Sequence, residues 1–362
     1  MSPTTSRRPT PWSEGTSGPV EIGGAMLAEL KEMNRMPTDV LLNVEHLEVT
    51  FGAVSDPRAV RGVQDVSFHV RPGETLGIVG ESGCGKTMSA LAVIGLLPEF
   101  AVMTGGSIAW KGKILSARDA RRLRGRSIAM IPQDAMTALN PLLTVESQIG
   151  EVLRMHRGMR GAQVRSRILE LLELVRIDEP RRVAAQRPWQ LSGGMAQRVV
   201  IAMALAAQPE LLIADEPTTA LDVTVQSEIL ALLHSLQTEF HLALVMITHD
   251  LGIVAHMTHR TAVMYAGRIV ETGLTRDIFR TPSHPYTRGL IASTPHPFVR
   301  QEMVGIRGQA PLALVKDHGC SYRERCDYAM QDCEVRPELL GRVPDGHKVA
   351  CWRADLAPVR RV

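Results

Sequence analysis

The 362-residue chain is long enough for two or three domains, and 44% hydrophobic with 22% charged residues is ordinary globular composition. A net charge of +3 and 4% aromatic residues supply neither a strong field for nucleic acid or a membrane surface nor an array for base stacking. No stretch reaches the ~20 apolar residues of a bilayer-spanning helix, and Arg7 and Arg8 precede no apolar signal core. A cytosolic protein is expected, with membrane contact made through a partner. Five cysteines in that compartment point to metal or chemistry rather than disulfides.

Residues 1–39 are rich in Ser, Thr, Pro and Gly and read as a disordered tail; Met26–Met33 within it has the spacing of a short amphipathic helix. From Val40 the pattern alternates. Leu41–Phe51 and Val63–Val70 are expected strands about a turn at 52–57. Arg71-Pro72-Gly73-Glu74 turns the chain into the apolar strand Thr75–Val79.

The next stretch, Gly80-Glu81-Ser82-Gly83-Cys84-Gly85-Lys86-Thr87, fits G-x-x-x-x-G-K-[ST] and runs into a helix-compatible segment, Met88–Val93. In such a loop, residues such as Gly80, Ser82, Gly83, Cys84 and Gly85 curl backbone N–H groups around an anion, and the helix N-terminus adds positive dipole. Cys84 reads as a small filler there. Lys86 reaches the β- and γ-phosphates, and Thr87 offers its hydroxyl to Mg²⁺. Phe51, about thirty residues earlier, either stacks on a nucleobase or packs in the strand's core.

Gly105–Gly112 reads as a hairpin, and Arg118–Arg126 as a solvated basic helical face. Ser127–Gln133 is a strand ending on Gln133. Residues 134–190 shift to helical spacing, clearest over Val164–Val175, and read as an inserted helical subdomain. Leu191-Ser192-Gly193-Gly194-Met195 opens another helix. Glu210–Pro217 is an apolar strand ending in Asp215-Glu216, with Ala220-Leu221-Asp222 close behind. Asp215 is placed to hold Mg²⁺ and Glu216 to polarise an attacking water, the positioning and charge neutralisation that phosphoryl transfer requires. A helix, Val225–Phe240, leads to the strand Leu242–Thr248 and then His249. This alternation implies a parallel sheet with helices on its faces and ligands at the carboxyl ends of its strands. Arg260–Glu271 is a hairpin turning at Gly267. From about Gly273 the chain reads as irregular, with Pro282, His284-Pro285-Tyr286, Pro295 and Pro297, and it ends in Cys320, Cys326, Cys333 and Cys351.

Residues of about 40–275 resemble the nucleotide-binding subunit of an ABC (ATP-binding cassette) transporter. Five motifs stand in that family's order: the phosphate loop, Gln133, Leu191–Met195, Asp215-Glu216 with Ala220-Leu221-Asp222, and His249. Met195 occupies a place where the family signature usually has Gln. The resemblance implies an α/β fold: a P-loop (RecA-like) ABC ATPase core at 40–275 with an inserted α-helical subdomain, an antiparallel β subdomain and a loop-rich C-terminal extension at 276–362. It implies that Ser192 and Gly194, with Gly193 between them, contact the γ-phosphate of ATP held by the opposite subunit of a head-to-tail dimer. Gln133 would sense Mg²⁺ and the attacking water, His249 would contact the γ-phosphate, Asp222 would link the two sites, and Phe51 would stack on adenine.

Ala138-Leu139-Asn140-Pro141, Asp215–Gln226 and His284-Pro285-Tyr286-Thr287-Arg288 resemble the oligopeptide/dipeptide/nickel importer branch. That resemblance implies an ATPase at the cytoplasmic face of the membrane. Its implied partners are a second homologous ATPase, two permease subunits and an extracytoplasmic substrate-binding protein, with no nucleic acid. The four C-terminal cysteines fit a Cys₄ metal site, although their spacing matches neither usual zinc hooks nor common ferredoxin runs. The branch resemblance implies a [4Fe–4S] cluster there, with zinc as the alternative. Competing functional readings are an importer of nickel or another small solute, a soluble ABC ATPase of DNA repair or translation, and an ATPase whose tail senses redox state.

Overall fold

The computed structural model describes residues 39–52, 56, 59–219, 221–294, 305–309, 311, 319–341 and 346–354. Of the expected tail at 1–39, residues 1–38, including Met26–Met33, lie outside them, as do Ala220, Pro295 and Pro297.

Two sheets carry the described chain. The smaller is antiparallel, in the order β2-β1-β4-β5: β1 is Leu42–Phe51, β2 Val60–Val70, β4 Ala101–Trp110 and β5 Lys113–Ile114. The expected hairpin at Gly105–Gly112 is smaller than its glycines suggest. The reversal lies at residues 111–112, while Gly105 and Gly106 sit inside β4 opposite a register shift in β1.

The larger sheet holds β3 (Thr75–Val79), β6 (Ile128–Ile131), β7 (Leu211–Asp215), β8 (Ala243–Thr248), β9 (Arg260–Tyr265), β10 (Arg268–Leu274), β11 (Leu340–Gly341) and β12 (Lys348–Val349). Its order is β11-β12-β10-β9-β3-β8-β7-β6. The five strands from β6 to β9 pair in parallel. Strands β3, β7 and β8 are buried at every residue, as parallel strands covered on both faces must be. β9 and β10 are joined by Ala266-Gly267, both at positive φ (47° and 81°), the backbone of a tight two-residue hairpin.

Helix α1 (Lys86–Val93) follows the phosphate loop, and α2 (Ala117–Leu123) is the basic helix, capped by a Ser116–Asp119 capping box and burying only Ala120. Between β6 and β7 lie α3 (Ala135–Ala138), α4 (Val145–Arg157), α5 (Ala162–Leu174) and α6 (Pro180–Ala185). In α4, Val145, Ile149 and Leu153 recur every four residues and are buried; Thr144 caps its start and Gly158, at φ 65°, its end. Their cluster continues into α7 (Gly193–Ala206), α8 (Val223–Phe240) and the sheet. Leu153→Ala should cost about 3 kcal/mol or more, read as a lowered urea midpoint.

Part of the chain after Gly273 departs from the irregular reading, while the described residues beyond Ser293 hold only 3₁₀ turns and the two-residue strands β11 and β12. α9 (Leu251–Met257) leads into β9, and α10 (Thr275–Arg280) and α11 (Pro285–Ser293) follow β10. Pro285 occupies the first turn of α11, where a missing N–H costs nothing, so the prolines here start a helix as well as break one.

His284 caps α11: its Nδ1 accepts from the Tyr286 N–H at 3.1 Å. Burial lowers the ring's pKa to about 4, against an opposing pull from Glu271. A folded-state pKa below the unfolded value means that protonation favours the unfolded chain. The contribution is complete above pH 6.5 and lost as pH falls from there to about 4, a difference of roughly 3 kcal/mol. His284→Asn retains a capping acceptor without that proton. Its urea midpoint should therefore fall less steeply across this window than that of the unsubstituted chain.

Candidate functional site

The phosphate loop leaves the carboxyl end of β3, Asp215 ends β7, Gln133 follows β6, and His249 follows β8. Parallel pairing brings these ends to one edge of the sheet. A cavity of about 450 Å³ opens there, lined by Ser82, Gly83, Gly85, Lys86, Thr87, Gln133, Glu216 and Phe51, among others. A larger cavity of about 1110 Å³ lies between the antiparallel sheet and the C-terminal segment and contains none of the phosphate-loop residues.

The loop is a close backbone fit. A Cβ on Gly80 would lie 2.1 Å from the Met264 carbonyl oxygen. Gly85 has φ 101°, and a Cβ there would meet the Gly62 carbonyl oxygen at 2.6 Å. Gly85→Ala thus combines a left-handed backbone with a clash against main chain and should cost about 1–3 kcal/mol, measurable in thermal unfolding together with weakened nucleotide binding.

Lys86 is 5% exposed. Its Nζ donates to the Gly80 carbonyl at 2.8 Å and the Glu81 carbonyl at 3.1 Å, and lies 4.0 Å from Glu216 Oε1. The ammonium is thus held at the cavity by the loop it serves. Thr87 Oγ1 donates to Asp215 Oδ1 at 3.2 Å. Burial pushes the Asp215 carboxyl above its ordinary range; the Thr87 hydrogen bond opposes this, and the Glu216 charge adds to it. A hydroxyl and a carboxylate meeting beside a buried ammonium form a hard oxygen pair suited to Mg²⁺.

Glu216 sits at φ 46°, a left-handed backbone for a non-glycine residue, and its N–H donates to the Ile247 carbonyl at 2.8 Å. That strain aims the side chain back into the cavity mouth. Gln133 Nε2 donates to Glu216 Oε2 at 3.1 Å, Thr219 Oγ1 donates to the same oxygen at 3.0 Å, and His249 Nδ1 lies 3.3 Å from it. Gln133, Glu216 and His249 therefore converge. Thr219 was not legible as a site residue; its only sequence signal is its position three residues after Glu216, within reach of that carboxylate. Arg61 and Pro311 also line the cavity without having been singled out.

Phe51 ends β1 and lines the cavity while packing partly against the core; its ring lies so close to Gly62 that a Cβ there would come within 2.1 Å. Cys84 is buried beneath the loop, and burial raises its thiol pKa. Ser192, Gly193 and Gly194 do not line the cavity. Ser192 caps α7 instead, accepting from the Met195 N–H at 3.3 Å. Asp222 caps α8 through the N–H groups of Thr224 and Val225.

The four C-terminal cysteines do not bear out the metal expectation. Cys320, Cys326, Cys333 and Cys351 line one small cleft with Tyr322, and Cys320 N–H donates to the Cys333 carbonyl at 2.9 Å. Among the described residues, however, no three or more His, Cys, Asp or Glu side chains are grouped so as to hold a metal ion. Burial also pushes the Cys320 thiol up to about 12 and raises that of Cys326, which favours the neutral thiol over the thiolate a metal requires. The [4Fe–4S] cluster and its zinc alternative are withdrawn, and the redox-sensing tail loses its cofactor. Cys333 and Cys351 are buried, while Cys320 and Cys326 are half-buried and pack against the core around Tyr265, Tyr286 and Tyr322.

Two family models match the chain: one described as ABC transporter, over residues 63–219, and one described as oligopeptide/dipeptide transporter, C-terminal region, over 270–333. A probable peptide ABC transporter ATP-binding protein of Sinorhizobium fredii is 47% identical over 324 residues, covering 88% of this chain and 96% of that one. The dipeptide transport ATP-binding protein of Bacillus subtilis is 46% identical, covering 87% and 95%. Among solved structures, a dimeric post-hydrolysis ATP-binding cassette bound to ADP and Pi superposes with a TM-score of 0.58 at 29% identity, covering 65% of this chain and 99% of that one.

Proposed function

Because the chain belongs to the ATP-binding protein family of ABC transporters, we propose that it binds and hydrolyses ATP at the β3–β7–β8 edge to power peptide import through a membrane permease. The convergence of Gln133, Thr219 and His249 on one oxygen of Glu216, beside Lys86, is the observation that carries this reading. Lys86 and the loop N–H groups would bind the β- and γ-phosphates. Thr87 and Asp215, with Gln133 beside them, would hold Mg²⁺, which neutralises charge on the transferring phosphoryl group. Glu216 is placed to accept a proton from water, and its neighbours fix that carboxylate's orientation. Phe51 forms the cavity wall available to adenine.

Ser192, Gly193 and Gly194 fit a role in trans. They open a fourteen-residue helix outside their own chain's cavity, where backbone N–H groups favour an anion. A head-to-tail dimer would bring them to the partner's ATP, with Asp222 near the junction. The dimeric arrangement of the matched ATP-binding cassette supports this reading.

The segment between β6 and β7, which begins just after Gln133, exposes the apolar side chains of Met136 in α3, Leu142 and Leu143 in the loop before α4, Met155 in α4 and Trp189 in a 3₁₀ turn. Such a surface suits docking to permease helices. No described helix is long and apolar enough to cross a membrane. Likeness to the peptide and dipeptide transport ATP-binding proteins supports action at the cytoplasmic face, with a homologous ATPase, two permeases and an extracytoplasmic binding protein. The matches to peptide and dipeptide transport proteins support peptide as cargo.

Affinity isolation of the tagged chain from detergent-solubilised membranes tests this assembly. Two permeases and a second ATPase are expected in stable proportion. Recovery on ribosomes or DNA, without permeases, would overturn the reading in favour of a soluble ATPase.

A further inference from the structure

The C-terminal segment reaches back to the phosphate loop at a residue outside the phosphate cradle, Glu81. Arg325, in the 3₁₀ turn Arg323–Arg325, has a side chain only 7% exposed. Its guanidinium forks onto the Glu81 carboxylate: Nη1 donates to Oε2 at 2.8 Å and Nη2 to Oε1 at 3.0 Å. Nε donates to the Arg307 carbonyl at 2.6 Å, and further bonds run to the Gly308 carbonyl and the Tyr265 hydroxyl, each at 3.3 Å. The rings of Tyr265 and Tyr322 flank the guanidinium, 5.7 and 5.9 Å from its carbon.

A second contact holds the main chain of the same residue. The Glu81 N–H donates to the hydroxyl of Tyr286 at 3.0 Å. Tyr286 is fully buried in α11 and packs against Tyr265 with ring centroids 4.6 Å apart. The carbonyl of Glu81 then accepts from Lys86 Nζ. An unbroken line of bonds thus runs from Arg325 through Glu81 to the cationic side chain of the cavity. Pro311, from the same C-terminal segment, lines that cavity directly.

A bidentate arginine–carboxylate pair fixes direction as well as distance, and shielding from water strengthens it relative to an exposed pair. The phosphate loop offers N–H groups whose value depends on being aimed before the anion arrives.

We propose that Arg325 and Tyr286 are positioning residues for ATP: the C-terminal extension clamps Glu81, and through it presets the phosphate loop and Lys86. The proposal rests on the reading of Gly80–Thr87 as the ATP site. It gives the extension a direct hold on nucleotide affinity.

The full-length chain tests this by MgATP titration, together with steady-state hydrolysis. Arg325→Met keeps the stem and removes the fork, and should raise the Kd and KM for ATP about tenfold while changing kcat less than about threefold. Tyr286→Phe removes only the hydroxyl that accepts from the Glu81 N–H and should raise both by roughly threefold. Arg325→Lys should fall between Arg325→Met and the unsubstituted chain. In a Glu81→Gln background the effect of Arg325→Met should shrink to under about twofold, because the fork has lost its charged partner. Lys86→Ala is measured in parallel. Wild-type affinity in Lys86→Ala would remove the premise that the loop is the ATP site. Loss of binding in Lys86→Ala, with Arg325→Met and Tyr286→Phe both within about twofold of the unsubstituted chain, would overturn the clamp alone. Should Arg325→Met fail to fold by circular dichroism, Tyr286→Phe decides by the same criterion.

Discussion

Glu216→Gln should slow ATP hydrolysis by about a hundredfold or more while leaving ATP binding nearly unchanged. The amide is close to the carboxylate in shape, and its carbonyl oxygen can still meet Gln133 and Thr219, which donate to Glu216 Oε2 at 3.1 and 3.0 Å. What it cannot do is accept a proton from water. The carboxylate is also 4.0 Å from Lys86, so replacing it removes a negative charge beside the phosphate-binding ammonium and should not weaken ATP affinity. Single-turnover hydrolysis measured beside equilibrium nucleotide binding distinguishes the two effects. ATP should then hold subunits together, because the step that releases them is blocked. Turnover within a few fold of normal would remove Glu216 from the proton-accepting role.

Lys86→Ala should have the opposite signature, losing binding itself. The ammonium is buried and already satisfied by the Gly80 and Glu81 carbonyls, so it is preorganised toward the cavity. A charge-assisted hydrogen bond of this kind contributes up to about 3 kcal/mol, or roughly a hundredfold in Kd. Two carbonyls would also lose their donor. Nucleotide titration should show the loss, with the far-ultraviolet spectrum unchanged; undiminished affinity would contradict the placement of phosphate beside Lys86.

The parts of the site that were legible in the sequence are the local ones. The phosphate loop declares itself because strand, glycines, Lys86 and Thr87 are consecutive. Asp215-Glu216 declares itself because two carboxylates directly follow an apolar strand. Ser192 and Gly194 were legible only through the family resemblance: the single chain places them on the cap of α7, away from its own cavity. Thr219 could not be separated from other loop hydroxyls, since its role depends on the left-handed backbone at Glu216.

The C-terminal extension was less legible in the sequence. Four cysteines supply suitable ligand types, but spacing alone does not establish convergence or ionisation, and burial opposes the thiolate form of Cys320 and Cys326. Prolines at 282 and 285 suggested irregular chain, whereas Pro285 opens a helix under a histidine cap. The Arg325–Glu81 fork joins residues 244 positions apart, beyond any periodicity.

ATP hydrolysis at the Lys86–Glu216 cavity should drive peptide movement through a permease. Reconstitution of the isolated membrane complex in vesicles, with ATP on the side of this chain and labelled peptide on the other, tests it most directly. ATP-dependent peptide accumulation should stimulate hydrolysis and disappear with Glu216→Gln. Vigorous hydrolysis with no peptide movement, or peptide movement unaffected by Glu216→Gln, would contradict it.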